Sequence, residues 1–242
     1  LFRQSSFVVI ISDTELQAIQ FLNDIKMELF ENQKLRDLFK VNKIYKDAEK
    51  EIRLTMGADN HQVRIMVRGA SGGSGSVRGF KWRGKRPDLI ICDDMENDEA
   101  VINEERRAKF RGWFYGALIP AMSDHGKIRL VGTVLHFDSL LERLMPPTTG
   151  DGAEFTVQTA LKDYSTKKIG AWESIKYRAH TDFDDFTDIL WKEKFTEKRL
   201  RSLRDDFVRQ GIAEGYAQEY LNYPLHEGEA FFRKNDFLPM EE

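Results

Sequence analysis

Two short runs of this chain contain no polar residue, Phe7-Val-Val-Ile-Ile11 and Leu89-Ile-Ile-Cys92. Such runs read as strands buried on both faces, the kind found in parallel sheets. After the first run, Leu16, Ile19, Phe21, Leu22, Ile25, Met27, Leu29 and Phe30 recur at helical spacing, and Ser12 or Asp13 is placed to cap that helix. A further amphipathic turn is expected over 35–39. Residues 51–56 and 62–67 alternate polar and apolar around Gly57-Ala-Asp-Asn60, which predicts an antiparallel hairpin with one wet face. Residues 68–79 hold five glycines and read as a loop. Beyond the second apolar run the pattern predicts a helix over 103–116 and a strand over 127–131 ending at Gly132-Thr133. A short helix capped by Asp138 should stop before Pro146-Pro147, with two more strands over 154–161 and 175–179. From Trp191 the character changes to charged helix, over 198–208 with Thr196 as cap and again over 212–221. This order predicts an α/β sandwich with antiparallel strands added at one edge.

Composition narrows the class. The 242 residues are 41% hydrophobic and 32% charged, so the chain is globular rather than disordered. No apolar run reaches the roughly 18 residues that span a bilayer, so no membrane partner is expected. A single cysteine, Cys92, cannot form an internal disulfide, and five scattered histidines do not suggest a zinc cluster. The formal charge of -3 gives no global attraction to nucleic acid. Any such contact must come from a local patch.

The second apolar run ends abruptly in Asp93-Asp94, with Glu96 two residues on. Open α/β sheets bind ligands at the carboxyl ends of their strands. A carboxylate there can hold hydrated Mg²⁺ and a neighbour can orient water toward phosphate, which is the chemistry of a Walker B motif. Asp93 is the metal candidate. Asp94 is favoured by register as the residue that places the attacking water. Glu96 has the greater reach, and its alternative role is helix first-turn electrostatics. Gly132-Thr133 should end a strand beside Asp93, where a hydroxyl could sense the γ-phosphate.

Arg78, Lys81, Arg83, Lys85 and Arg86 place five cations within nine residues, with Phe80 and Trp82 between them. Arg78, Arg83 and Arg86 are candidates to contact nucleotide phosphate, as arginines acting in trans, or to contact a DNA backbone. The alternative is a solvated loop. Arg68 is a further candidate in trans. Trp113-Phe114-Tyr115 reads as core packing, and Glu104-Glu105-Arg106-Arg107 as a solvated helix face. The pattern Gly-x-x-x-x-Gly-Lys-Ser/Thr, which would cradle phosphates, occurs nowhere in these residues.

Taken together in order and spacing, several segments resemble the ATPase part of the large terminase subunit of tailed bacteriophages. They are Phe7-Val-Val-Ile-Ile-Ser-Asp-Thr14, Val77-Arg-Gly79 leading to Arg86-Pro-Asp-Leu-Ile-Ile-Cys-Asp-Asp-Met-Glu-Asn97, and Leu130-Val-Gly-Thr133. Leu190-Trp-Lys-Glu-Lys-Phe195 and Tyr216-Ala-Gln-Glu-Tyr-Leu-Asn222 complete the set. The resemblance implies a RecA-like P-loop ATPase fold with a mostly parallel central sheet, antiparallel edge strands and a small helical linker subdomain. It implies an ATPase core over 1–190 whose Walker A loop lies upstream, a linker over 191–230, and the start of a nuclease domain over 231–242. By resemblance, Asp93 takes Mg²⁺, Asp94 or Glu96 activates water, and Gly132-Thr133 is the coupling motif. The implied cofactors are ATP and Mg²⁺. The implied partners are double-stranded DNA, a portal protein, a small terminase subunit and copies of the chain itself in a ring, often a pentamer. Such motors work in the host cell cytoplasm, docked on a procapsid, and the whole protein also carries a nuclease. Two other readings stand beside this one: another DNA-translocating ATPase, or a non-catalytic scaffold that kept the fold.

Overall fold

The computed structural model describes residues 5–73, 75–145, 168–169 and 172–223, and it divides into two compact units, Leu1–Gly132 and Thr133–Glu242. The first is built on a six-stranded sheet. β1 (Phe7–Ser12) is central, and all six of its residues are buried, as an unbroken apolar run requires. It pairs in parallel with β4 (His61–Gly69) on one side and β5 (Leu89–Asp93) on the other, and β5 pairs in parallel with β6 (Lys127–Val131). The sheet is extended antiparallel through β3 (Glu51–Met56) and β2 (Val41–Ala48), giving the order β2-β3-β4-β1-β5-β6. The fold is therefore mixed α/β with a mostly parallel sheet, and its antiparallel strands lie at one edge.

Alternation along β1 sends its side chains to two different cores. Val8 and Ile10 pack with Val67 of β4 against Ala18 and Leu22 of α1 (Glu15–Glu31). Phe7, Val9 and Ile11 are buried on the opposite face. α2 (Gln33–Phe39) follows α1. Beyond β5 come α3 (Asp98–Ile102) and α4 (Glu104–Trp113), then a π-helical turn, Phe114–Leu118, and the short α5 (Ile119–Ala121). The 3₁₀ turn Ser71–Gly73 lies against α4, where a Cβ on Gly73 would come within 2.8 Å of the Phe110 Cα.

Acidic side chains tie the strands together. Asp88 accepts the Ser6 N–H at 2.7 Å and the Phe7 N–H at 3.0 Å on its carboxylate. Its own N–H donates to the Phe7 carbonyl, and its carbonyl accepts the Lys127 N–H, both at 3.0 Å. One residue thus ties together the starts of β1, β5 and β6. On the far edge Glu51 is met by Lys46, Arg53 and Arg64. Burial opposes its ionisation, but those three cations outweigh it and hold its carboxyl at about 2.

In the second unit, α6 (Leu140–Leu144) is followed by the strand pair β7 (Lys168–Ile169) and β8 (Trp172–Glu173), then α7 (Glu197–Arg209) and α8 (Ala213–Leu221). Phe186, Leu200 and Tyr216 form its core, with Phe183, Phe195 and Phe207 packed around them. The expected boundary at 190/191 falls inside this core. His180 is fully buried. Its Nδ1 lies 3.0 Å from the Asp185 carbonyl and must donate to it, so Nε2, 2.7 Å away, accepts the Tyr216 hydroxyl. Burial pushes the imidazole below its ordinary value despite that carbonyl.

Several sequence expectations require correction. α1 is capped by Thr14, whose hydroxyl accepts the Gln17 N–H at 3.2 Å, because Ser12 is still inside β1. Ser139 caps α6, while Asp138 pairs with Arg143. Residues 175–179 are irregular rather than a strand. The expected strand over 154–161 and the segment 231–242 lie outside the described residues. Arg107 is not on a wet face: it is buried and donates to the Val101 and Ile102 carbonyls at 2.5 and 3.2 Å, closing the end of α3. The Trp113-Phe114-Tyr115 run buries its first two rings and leaves Tyr115 half exposed.

Two tests follow from these contacts. Asp88→Ala strips the acceptor from two N–H groups and should cost about 3 kcal/mol in urea denaturation, with Asp88→Asn recovering part of it; a cost below about 1 kcal/mol would remove the clamp. His180 has a depressed folded-state pKa, so its contribution is present above its ordinary value near 6.5 and is lost as pH falls below it. The protection factors of the α7 and α8 amides, with the intrinsic pH dependence of exchange divided out, should therefore decline as pH falls below about 6.5, and His180→Gln should flatten that dependence.

Candidate functional site

The carboxyl ends of β1, β4, β5 and β6 meet at one end of the sheet, as parallel pairing demands. Asp93 is the last residue of β5 and stands opposite Val131, so Gly132 lies one step beyond it on the neighbouring strand. Gly132 closes the first unit and Thr133 opens the second. Asp93 is half-buried. Burial first, and then the charge of Asp94, raise its carboxyl above the ordinary value. A cation beside them would offset both the burial and the repulsion between the two carboxylates.

Asp94 is exposed and has φ +43°, a left-handed conformation that a non-glycine residue adopts only when its surroundings hold it. Here two backbone bonds do so. Its N–H donates to the Val131 carbonyl and its carbonyl accepts the Asp13 N–H, each at 3.1 Å. Met95 is buried behind it, and Glu96 is half-buried. Glu96 precedes α3, whose first turn holds Asp98 and Glu99 instead, so the helix-electrostatics alternative belongs to those two residues.

Asp13 is the hub that sequence reasoning missed. Beyond its bond to Asp94, its carboxylate accepts the Asn97 side-chain N–H at 2.9 Å and its carbonyl accepts the Ser71 N–H at 3.0 Å. It therefore fastens the carboxylate loop and the glycine-rich loop to the end of β1. The glycines are required by close approach: a Cβ on Gly75 would meet the Gly69 carbonyl at 2.3 Å. Ser12, one step before Asp13, is fully buried and its hydroxyl has no partner. By strand alternation it shares a sheet face with Asp93, one position past the Ile11–Cys92 pair. The local sequence signal for these roles was the Ser12-Asp13-Thr14 cluster, which reads equally well as a helix cap.

The basic run is elsewhere. Arg86 and the Trp82–Lys85 turn precede β5, and Trp82 packs its ring edge on Phe7, the first residue of β1. β5 alone, at about 3.3 Å per residue, puts roughly 15 Å between that end of the sheet and Asp93. Within one chain the structure does not bring Arg83 or Arg86 to the carboxylates. Arg78 lies beside the Gly116 carbonyl, and Arg68 lies over the Phe80 ring with its guanidinium 5.8 Å from the centroid.

Among the described residues, no three His, Cys, Asp or Glu side chains converge as a metal cage, and no helix is long and apolar enough to cross a membrane. The Asp93–Asp94 pair instead suits an ion bound by one or two carboxylates and completed by water and phosphate oxygens, the habit of Mg²⁺.

No protein-family model and no curated protein matches this chain. Among solved structures it is similar to the ATPase domain of the large terminase of Thermus phage P74-26. The TM-score is 0.56 and the identity 14%, over 93% of this chain and 79% of that one. At that identity the likeness is one of fold: this chain shares the fold of that ATPase domain.

Proposed function

We propose that this chain is the ATPase domain of a viral DNA-packaging motor, a large terminase, that couples Mg²⁺-ATP hydrolysis to movement of double-stranded DNA into a procapsid. One observation carries the reading: adjacent carboxylates end a central parallel strand in a fold shared with a large terminase ATPase domain. Asp93 holds the ion, and its raised carboxyl pKa means that a bound cation stabilises the site by satisfying charge left poorly solvated. Mg²⁺ bound there supplies neutralisation of the phosphate oxygens as charge develops on them. Asp94, fixed in position by its two backbone bonds, or Glu96 orients the attacking water by accepting its proton-bearing hydrogen bond. Gly132-Thr133, next along the chain from the residue opposite Asp93, passes the change to the helices that follow. Copies of the chain would act as a ring with portal protein and small terminase subunit as partners, in the host cytoplasm. The Gly-x-x-x-x-Gly-Lys-Ser/Thr cradle does not occur in these 242 residues, so the assay belongs to the full-length protein.

Steady-state ATP hydrolysis by that protein should fall about a hundredfold or more in Asp93→Ala, and by a similar factor in whichever of Asp94→Asn and Glu96→Gln removes the water-orienting group. Wild-type protein that neither binds nor hydrolyses ATP would sink the assignment. Asp13→Ala keeps the backbone bond to Asp94 but removes the carboxylate that accepts the Asn97 side chain. It should lower kcat about tenfold with KM for ATP and the melting temperature nearly unchanged, and Asp13→Asn should restore part of kcat. An Asp13→Ala variant that loses only stability would reduce that residue to a structural tie.

A further inference from the structure

The five cations of residues 78–86 are set apart by their density in so short a segment without a carboxylate beside them. Elsewhere, Lys26, Lys46, Arg53, Arg64, Arg143 and Arg204 each lie against a carboxylate. Among the described residues, none of Arg78, Lys81, Arg83, Lys85 and Arg86 does, and all five side chains are on the exposed surface. Uncompensated charge at this density repels itself unless something fixes it or a counter-charge arrives.

Backbone geometry does the fixing. Pro120 has no N–H, so the Gly116 carbonyl, four residues earlier, loses its normal helical donor. The Arg78 guanidinium lies 3.4 Å from that carbonyl, and Arg86 donates to the carbonyl of Pro120 itself. The π-helical turn that presents Gly116 is an irregularity often found at functional positions. Next to these anchors the chain makes a two-residue hairpin. Trp82 and Lys85 exchange both backbone hydrogen bonds at 2.9 Å, and Arg83 and Gly84 have φ +53° and +77°, as a type I′ turn requires. The hairpin is held down by Trp82 against Phe7 and by Arg64, which donates to the Lys81 carbonyl at 3.3 Å. Arg78, Lys81 and Arg86 line one cavity of about 310 Å³, with Phe80, Gly116 and Pro120.

We infer that this surface, at the amino-terminal end of the parallel strands, binds the phosphodiester backbone of duplex DNA. The inference rests on the motor reading for its partner and places the contact about 15 Å or more from the carboxylate site. A duplex is favoured over a single strand because the aromatic rings within the run are already used. Trp82 packs on Phe7 and Phe80 lies under Arg68, so neither offers the open face on which unpaired bases stack. What reaches solvent is a fixed array of cations, and duplex backbones are bound by such arrays without reading sequence.

The test is fluorescence anisotropy of a random-sequence duplex of about 30 base pairs with the full-length protein, without ATP, across a range of salt. The triple variant Lys81→Gln, Arg83→Gln, Lys85→Gln is compared with a control that removes equal charge elsewhere, Lys34→Gln, Lys43→Gln, Lys198→Gln. Each lost phosphate contact should make the slope of log affinity against log salt shallower by about 0.9. The first variant should therefore lose two to three units of slope and bind about tenfold or more weaker near 0.1 M salt, while the control stays within about twofold. Equal affinity and slope for the two variants, tighter binding of a single strand than of the duplex, or no duplex binding by wild type would each overturn the inference. Asp93→Ala protein should bind the duplex as wild type does. Wild-type protein that binds the duplex but does not hydrolyse ATP would therefore strike the hydrolysis reading alone.

Discussion

Everything at either end of the sheet depends on how β5 is held beside β1. Parallel strands have no hairpin to set their register, so long-range bonds must set it. At one end Asp88 gathers the starts of β1, β5 and β6 onto a single residue. At the other, Asp13 bonds to Asp94 across the same pair of strands. A slip of one residue would turn Asp93 to the opposite face of the sheet, the apolar face that Ile11 of β1 occupies at that end. The two aspartates fix the height of the strand, and with it the location of its terminal acids.

That constraint also separates two kinds of chemistry. The carboxylates, the left-handed Asp94 and the partnerless Ser12 hydroxyl gather where the strands end. The unpaired cations gather where they begin. Opposite charges that might have neutralised one another are held apart by the length of a five-residue strand, and Coulomb attraction over such a distance is largely screened at physiological salt. Each end is left with a net local charge available to a ligand of opposite sign. Glu51 contributes indirectly: it engages Arg64, and Arg64 in turn holds the Lys81 backbone.

How much of this was legible in the sequence follows from the range of the interactions. β1, β5 and the β3–β4 hairpin could be read because burial on two faces or one leaves an unbroken or alternating pattern in adjacent residues. β2 was missed because it is an edge strand, with Asn42, Lys43, Tyr45 and Lys46 in solvent and little apolar period to detect. Residues 175–179 alternate like a strand, yet their polar atoms are met by distant groups: Asn222 donates to the Tyr177 carbonyl at 2.9 Å, and Ala179 donates to Tyr220 at 2.7 Å. At the site, Asp93 and Asp94 stood out because acids interrupting an apolar run are a local signal. Asp13 and Asn97 are 84 residues apart, and nothing in either neighbourhood announces the other. The placement of Arg83 and Arg86 away from the carboxylates was likewise invisible, since adjacency in sequence to β5 says nothing about which end of it they occupy.

The π-helical turn at Phe114–Leu118 has a bearing on how this surface could arise and be lost. A π turn differs from an α turn by one extra residue, so a single codon separates the two. Deleting one residue there would rotate the following segment by about 100° and carry the Pro120 carbonyl away from Arg86. Lineages of this chain could therefore gain or discard the anchored cations in one genetic step, leaving the strands and their acids untouched.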